Sequence, residues 1–385
     1  MKTDIKEILA IDPDAQVAAL NRLTDARLAE RPTGLVFFGA GHLGGIALRN
    51  AKAAGLIVRA IADNNSRRWG DSFHGVPIIS PAEAVAKFGS DHLFVITVYT
   101  GAPVWTQLRN AAVEPLSFAQ LAWRYPEHFL PHASVELPHR IFAERDQVLA
   151  ASEIWADDLS RALFAEQVAW RATLRPEVLS AHSPTVETYF ADDLFNLGAE
   201  EVYVDCGAFD GDSIRHFLAK TNSKFRKIIG IEPDTKNCAR LKQSCSAITA
   251  ENPAALEVLP FAVGDRSQTL CFDETGTAAS SIGSGTLQVQ CEPLDNLITD
   301  TVTYLKMDIE GAEPAALRGA ARLISRDKPI LAICVYHQIN HVWEIPLYLK
   351  QIAPSYRLAL RRYSDECWEL VCFAVPPSRW KQSSH

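Results

Sequence analysis

The segment from Val202 to Asp212 constrains this chain most, because an apolar strand runs directly into a turn that carries Gly207 and Gly211. Glycine has no Cβ, so the chain can turn sharply and bring backbone N–H groups close to a ligand before a helix begins near Ser213. This order of strand, glycine turn and helix is typical of folds that bind a nucleotide-type cofactor. We therefore predict a cofactor site at this turn.

The charge of the turn narrows the choice of ligand. Three aspartates, Asp205, Asp210 and Asp212, lie at or beside the glycines. Carboxylates there would repel a pyrophosphate, whereas they would attract a cationic sulfonium or an amino-acid ammonium group. The turn thus favours S-adenosylmethionine, and we assign Asp205, Asp210 and both glycines to its binding site.

Two further strands are predicted to end at the same ligand. The run Lys227–Ile231 precedes Glu232, whose carboxylate can accept both hydroxyl hydrogens of a ribose, as an acidic residue does in dinucleotide folds. A strand predicted from Leu256 to Val263 is soon followed by Asp265, and a backbone carbonyl or that carboxylate could meet the adenine amino group. Parallel strands present their carboxyl ends along one edge, so we expect one pocket.

The most distinctive run is Lys306–Glu313, which reads Lys-Met-Asp-Ile-Glu-Gly-Ala-Glu after a predicted fourth strand. Together with Val335–His337 and Leu358–Tyr363, it resembles the FkbM family, a branch of the class I S-adenosylmethionine-dependent methyltransferases, over about residues 201–376. The resemblance implies a class I methyltransferase sheet with helices on both faces. It also implies an O-methyltransferase that acts on a hydroxyl of a sugar, nucleotide sugar or glycan precursor.

Candidates for catalysis lie at the ends of the fourth and fifth strands. Asp308 would face both methyl donor and acceptor there, and capping of the following helix is its alternative role. His337 could accept the hydroxyl proton during in-line transfer, or it could be a polar residue that bonds the backbone. Lys306 could orient an anionic substrate or pair with Asp308. Ser281 lies in a small polar loop that matches the family, and is expected to contact the cofactor.

The first half repeats the strand, glycine turn and helix. Gly39, Gly41 and Gly44 complete a Gly-x-Gly-x-x-Gly pattern, and Asp63 follows the next predicted strand. This half resembles small Rossmann-like domains that hold nucleotide sugars, which makes these four residues a candidate nucleotide site. The glycines could instead serve only helix–strand packing. No evident acidic or Lys/Tyr pair follows before Pro131, which argues against a redox use of NAD.

The length of 385 residues exceeds the size at which one core stops growing. We predict an α/β chain with two Rossmann-like units: residues 1–130 with a helical N-terminal lead, a helical bridge over 131–198, and the methyltransferase domain over 199–385. None of the eight cysteines forms a Cys-x-x-Cys pair, so neither a disulfide framework nor a metal site is expected.

The remaining expectations concern partners and location. A net charge of −8 disfavours binding to nucleic-acid phosphates. The N-terminus lacks the apolar core of a signal peptide and no run is long enough for a bilayer, so we expect a cytoplasmic protein without a membrane partner. Its partner should be a small-molecule or glycan acceptor, and a homodimer is one possible oligomeric state.

The alternative functions are a non-catalytic nucleotide sensor and an NAD(P)-dependent oxidoreductase that uses the first glycine motif.

Overall fold

The structure is a computed structural model that describes residues 4–181, 188–246, 248, 252, 255–273, 281–282 and 287–381. The chain forms two compact units, each made of separate stretches of sequence. The first unit comprises Met1–Arg145, Ala165–His182 and Ser364–Trp368, and the second comprises Asp146–Phe164, Ser183–Tyr363 and Glu369–His385. The predicted bridge over residues 131–198 is divided between the two units.

The first unit is built on a six-stranded sheet. Its strands are β1 (Leu35–Phe38), β2 (Val58–Ala62), β3 (Ser72–Phe73), β4 (Val76–Ile79), β5 (Leu93–Ile96) and β6 (Leu116–Ser117). They lie in the order β3-β4-β2-β1-β5-β6, and all neighbours are parallel except β3 and β4. The predicted α/β fold with a Rossmann-like strand order is confirmed for this half of the chain.

The helices of the first unit include the predicted N-terminal lead. They are α1 (Ile5–Ile8), α2 (Pro13–Glu30), α3 (His42–Ala53), α4 (Pro81–Phe88), α5 (Ala102–Asn110), α6 (Phe118–Arg124), α7 (Pro126–Phe129) and α8 (His139–Ala143). Two of the five sequence boundaries between the units, after Arg145 and after Phe164, fall within α9 (Arg145–Ser152) and α10 (Asp158–Thr173). Among the described helices of the chain, none is long and apolar enough to cross a bilayer.

The second unit contains a seven-stranded sheet and a four-stranded sheet. Its strands are β7 (Val202–Cys206), β8 (Lys227–Ile231), β9 (Leu256–Leu259), β10 (Ala262–Val263), β11 (Gln268–Asp273), β12 (Ser281–Ile282), β13 (Leu287–Glu292), β14 (Tyr304–Met307), β15 (Ile330–Cys334), β16 (Arg357–Arg362) and β17 (Leu370–Val375). The larger sheet has the order β16-β17-β15-β14-β7-β8-β9, in which only β17 runs antiparallel to its neighbours. The smaller sheet has the order β10-β13-β11-β12.

The helices of the second unit alternate with the strands of the larger sheet. They are α11 (Asp212–Thr221), α12 (Thr235–Ser244), α13 (Leu294–Leu297), α14 (Glu313–Arg318), α15 (Ala321–Asp327) and α16 (His341–Ile352). The strands β14, β15 and β17 are buried along their whole length, as expected for a largely parallel sheet. The predicted α/β fold is confirmed here as well.

The prediction of one continuous strand from Leu256 to Val263 was wrong. The structure has two strands there, β9 and β10, and they belong to different sheets. Pro260 separates them, and proline has no N–H to donate to a strand ladder. The chain therefore leaves the larger sheet at this point, and Ala262 and Val263 form an edge strand of the smaller one.

The glycine turn after β1 shows why only some of its glycines are required by the fold. A Cβ on Gly44 would lie 2.0 Å from the carbonyl oxygen of Gly39, which itself has a φ of +116°. A Cβ on Gly41 would meet nothing within 4 Å. Close helix–strand packing thus requires Gly39 and Gly44, whereas it does not require Gly41.

We predict that Gly44→Ala lowers the thermal unfolding midpoint, because the added methyl group forces backbone apart at a cost of about 1–3 kcal/mol. The matched variant Gly41→Ala should unfold within about 0.5 kcal/mol of the wild type. Circular dichroism melts of the three proteins measure both effects. Equal melting of the two variants would contradict this account of the turn.

Candidate functional site

The second unit has a cavity of about 320 Å³ at the carboxyl ends of its parallel strands. Gly207 follows β7, Glu232 follows β8, Asp308 follows β14 and Tyr336 lies just beyond β15, and all four line the cavity. Strand ends of this kind are where open α/β sheets bind ligands. Separate segments of the sequence thus meet at one pocket, as predicted.

The glycine turn after β7 lies against the end of β14. Gly207 has a φ of +77°, and a Cβ on it would lie 1.9 Å from the carbonyl oxygen of Asp308. The backbone N–H groups of Gly207 and Ala208 donate to the carbonyl of Ile231 at 3.0 and 3.1 Å. Only glycine fits where three strand ends meet this closely.

Glu232 is 5% exposed and is held by the backbone around it. One carboxylate oxygen accepts the N–H of Phe209 and the other accepts the N–H of Asp234, each at 3.0 Å. Burial raises the pKa of this carboxyl, and the two N–H donors offset only part of that effect. The side chain of Asn237 is a third donor to this carboxyl, and because a carboxylate has about four acceptor sites, Glu232 can still accept a ribose hydroxyl.

The other residues predicted to bind the cofactor divide into two groups. Val263 lines the cavity. Asp205, Asp210, Gly211 and Asp265 do not, and each has a different local role.

These four residues have structural partners. Asp210 pairs with Arg215 at 3.0 Å, and Asp265 faces Arg318 at 3.4 Å. A Cβ on Gly211 would lie 2.9 Å from a methyl of Leu241, so this glycine allows α11 to pack against α12. Asp205 is treated with its partner below, and for Ser281 only the backbone on β12 lies within the described part of the chain.

Lys306 pairs with Asp205, which corrects the predicted pairing with Asp308. Its Nζ lies 3.0 Å from the carboxylate of Asp205 and donates to the carbonyl of Gly207 at 2.8 Å, and both side chains are buried. Burial would lower the pKa of Lys306, but the charges of Asp205 and Asp308 raise it well above its usual range. Lys306 is therefore a fixed cation that holds the glycine turn, and it is not available as a base.

Asp308 is a pocket carboxylate rather than a helix cap. The helix that follows begins at Glu313, with Ala312 at its N-cap position. The hydroxyls of Tyr189 and Tyr336 donate to Asp308 at 2.7 and 3.3 Å. Burial would raise the pKa of this carboxyl, but its contacts with His337 and Lys306 lower it well below its usual range. Asp308 is thus ionised.

His337 does not line the cavity, and its ring lies among carboxylates. Nδ1 lies 2.8 Å from Glu313, and Nε2 lies 3.2 Å from Asp308 and 3.9 Å from Glu310. Burial would lower the pKa of the imidazole, but Glu313 and Asp308 raise it well above its usual range. With a proton on both nitrogens the ring cannot accept another, so the predicted role as general base is not favoured by this geometry.

The sequence prediction missed several residues of the pocket wall, among them Glu310 and Glu369. The side chain of Glu310 is 38% exposed, and its pKa is raised to about 7 by burial and by the charges of Asp308 and Glu313, against the effect of His337. Burial and the charge of Asp308 raise the pKa of Glu369 to about 7 as well. Glu310 lies within the distinctive Lys306–Glu313 run, whereas only the fold brings Glu369 to the pocket.

In the first unit, Asp63 contacts the glycine turn itself. Its carboxylate accepts the N–H of Ala40 at 2.8 Å, and Arg68 donates to the carbonyl of Ala40 at 2.6 Å. The structure thus brings Asp63 beside the turn that contains Gly39, Gly41 and Gly44. Whether this group binds a nucleotide stays a prediction.

Comparison with known proteins shows which family the second unit resembles. Residues 205–363 match the family model of the methyltransferase FkbM domain. The crystal structure of methyltransferase FkbM from Methylobacillus flagellatus KT is similar to this chain with a TM-score of 0.72 and 25% sequence identity, over 94% of this chain and 100% of that one. No curated protein sequence matches.

More distant solved structures include an rRNA methylase from Streptococcus thermophilus, with 16% identity and a TM-score of 0.31 over 47% of this chain and 89% of that one. A SAM-dependent methyltransferase from Aquifex aeolicus has 14% identity and a TM-score of 0.28 over 46% and 84%. These scores carry no argument about this chain. The FkbM match over residues 205–363 confirms the resemblance predicted from the Lys306–Glu313 run.

Proposed function

We propose that the protein transfers a methyl group from S-adenosylmethionine to a hydroxyl of a sugar, nucleotide sugar or glycan precursor. The FkbM domain supports the reaction class. The observation that carries the cofactor assignment is the meeting of Gly207, Glu232 and Asp308 on one cavity at adjacent strand ends. The sugar hydroxyl follows from the family resemblance.

The wall around Glu232 suits the nucleoside part of the cofactor. Ile231, Phe261 and Val263 line the cavity together with Glu232. A ribose bound to Glu232 would leave the adenine against these apolar side chains. The methionine part would then extend toward Gly207, where the surrounding carboxylates attract its cationic groups.

The acceptor would lie beside Asp308. Tyr189, Tyr336, Glu310 and Glu369 also line this part of the cavity. Two phenol groups orient Asp308, and Lys306, the only lysine among the described residues of the wall, is paired with Asp205. Such a wall favours a neutral hydroxyl at the reacting position, because it would repel a phosphate placed there.

The proposal includes the setting of the enzyme. We place it in the cytoplasm, with a small-molecule or glycan acceptor and without nucleic-acid or membrane partners, and we keep a homodimer as its oligomeric state to be tested. In the alternatives, a non-catalytic nucleotide sensor would use one or both Rossmann-like units, and an NAD(P)-dependent oxidoreductase would use the glycine motif of the first unit.

The first unit supports a second candidate function, the binding of a nucleotide sugar. The observation that favours it is the open side of Gly41, at the N-cap of α3, where no side chain caps the helix. Backbone N–H groups at such a position can bind a diphosphate. Asp63 would lie beside the ribose at the end of β2.

The first prediction for the methyltransferase is that Glu232→Ala weakens S-adenosylmethionine binding by roughly 1.5–3 kcal/mol, or about tenfold or more, because the ribose loses a charged acceptor. Isothermal titration calorimetry measures it. The exposed neighbour Glu257, which pairs with Lys227 on the adjacent strand, provides the control variant Glu257→Ala. An unchanged dissociation constant for a folded Glu232→Ala would remove Glu232 from the site.

We further predict that Asp308→Asn lowers kcat roughly a hundredfold or more, as the loss of a preorganised charge does, while the dissociation constant of S-adenosylmethionine changes little. Asn keeps the shape of the side chain, but its one carbonyl oxygen replaces only one of the two oxygens that Tyr189 and Tyr336 contact, so one phenol loses its acceptor together with the charge. Steady-state kinetics with any sugar that a methylation screen identifies gives the answer, and Asp265→Asn serves as the matched control outside the cavity. Wild-type turnover of Asp308→Asn would exclude the catalytic assignment.

For the first unit, we predict that Gly41→Val abolishes nucleotide-sugar binding and leaves S-adenosylmethionine binding intact. The branched side chain would occupy the space through which a diphosphate reaches the backbone. Thermal shifts with UDP-sugars, GDP-sugars and NAD measure binding to wild type and variant. If none of these ligands protects the wild type, the first unit is a structural or interaction module.

A further inference from the structure

We infer that Asp308, Glu313 and His337 of the second unit form a binding site for a divalent cation. One ligand atom from each of the three side chains lies within 4.8 Å of the other two. Two atoms that each lie about 2.0–2.2 Å from one ion are at most about 4.4 Å apart, so a pair at the upper limit of the spacing would have to move closer by a few tenths of an ångström when the ion binds. The three residues come from the end of β14, the start of α14 and the segment after β15.

His337 is buried, and neither of its ring nitrogens has a hydrogen-bond partner within the described residues. Its side chain is only 5% exposed, and carboxylate oxygens lie 2.8 Å from Nδ1 and 3.2 Å from Nε2. Even so, within the described structure neither ring nitrogen makes an aligned hydrogen bond. A metal ion binds one imidazole nitrogen, and coordination would satisfy a buried nitrogen that no hydrogen bond satisfies.

Glu313 shows the same pattern. It is fully buried, and one of its oxygens accepts the N–H of Ile309 at 2.9 Å, which fixes the carboxylate. Its other oxygen, Oε2, has no hydrogen-bond partner among the described residues, although His341 Nδ1 lies 3.5 Å away. The oxygen that lies 2.8 Å from His337 is Oε1, and a cation bound to it would also reduce the cost of burying the carboxylate with Oε2 unsatisfied.

The charge of the cluster favours a dication. Asp308, Glu310 and Glu313 surround His337. Lys306 is paired with Asp205, and His341 lies 3.5 Å from Glu313. A proton on His337 supplies one positive charge, and a divalent ion next to a neutral imidazole supplies two. Two carboxylates and one imidazole suit Mn²⁺ through Zn²⁺ in the first-row series.

The position of the site connects it to the pocket, because Asp308 and Glu310 line the cavity. This step rests on the proposed function: an ion there could bind the oxygen of the acceptor hydroxyl and lower its pKa. The existence of the site does not depend on that step. It can be tested without S-adenosylmethionine and without an acceptor.

The test is titration of the chelator-treated full chain with MnCl2 alone, followed by electron paramagnetic resonance and calorimetry, with ZnCl2 as competitor. We expect one Mn²⁺ per chain and at least about tenfold weaker binding by Asp308→Asn and by His337→Gln, since even second-shell changes at metal sites cost 10–100-fold. Glu369→Gln, which removes a carboxylate of the same cavity wall outside the cluster, should keep the wild-type affinity.

The absence of stoichiometric Mn²⁺ and Zn²⁺ binding by the wild type would overturn the inference and leave His337 as a protonated imidazole. Wild-type affinity in both ligand variants would overturn it too. Thermal melts establish whether the variants fold. If His337→Gln does not fold, electron spin echo modulation of Mn²⁺ in the wild type decides, because a histidine ligand adds a nitrogen coupling and its absence would contradict the site.

Discussion

The buried ion pair between Lys306 and Asp205 is the interaction on which the rest of the site depends. The two residues are register partners on β14 and β7, and their charged groups lie 3.0 Å apart. Water cannot replace either partner there, so each charge requires the other. Lys306 also donates to the carbonyl of Gly207 and lies over the ring of Tyr189 at 5.0 Å. One cation thus fixes the glycine turn and the tyrosine that orients Asp308.

Because Lys306 is paired with Asp205, it cannot act as a base, and carboxyl groups outnumber cations at the end of β14. Asp308 is ionised, Glu313 is fully buried, and burial and the charge of Asp308 raise the pKa of the Glu310 and Glu369 carboxyls to about 7. Such a cluster is stable only if protons, cations or N–H donors offset the repulsion. The same carboxylates attract the sulfonium of a methyl donor. The repulsion among them therefore lies at the place where the proposed reaction needs negative charge.

Local patterns predicted the parts of the site that lie directly after strands. The turn at Gly207, the carboxylate of Glu232 and the run from Lys306 to Glu313 were located because strand ends in this fold share one edge. The patterns could not determine where a side chain points. Asp205 lies within β7 and faces Lys306, although its place before the turn suggested a ligand contact.

Other residues needed the fold itself. Tyr189 and Glu369 lie far from the motifs in sequence, and no periodicity connects them to the pocket. The sequence also predicted no metal site, because that reasoning used cysteine spacing. The cluster of Asp308, Glu313 and His337 is assembled from two distant segments, and its short contacts could not be read from residue types alone.

The two glycine motifs show that one sequence pattern has more than one physical cause. Gly207 is required because a Cβ would collide with the carbonyl of Asp308, and Gly44 because it would collide with the carbonyl of Gly39. In both turns the backbone of a neighbouring segment, not a ligand, excludes a side chain. Gly41 alone of the three motif glycines in the first unit faces open space. Packing explains Gly39 and Gly44 completely, so any ligand-binding role of that motif has to be decided at Gly41.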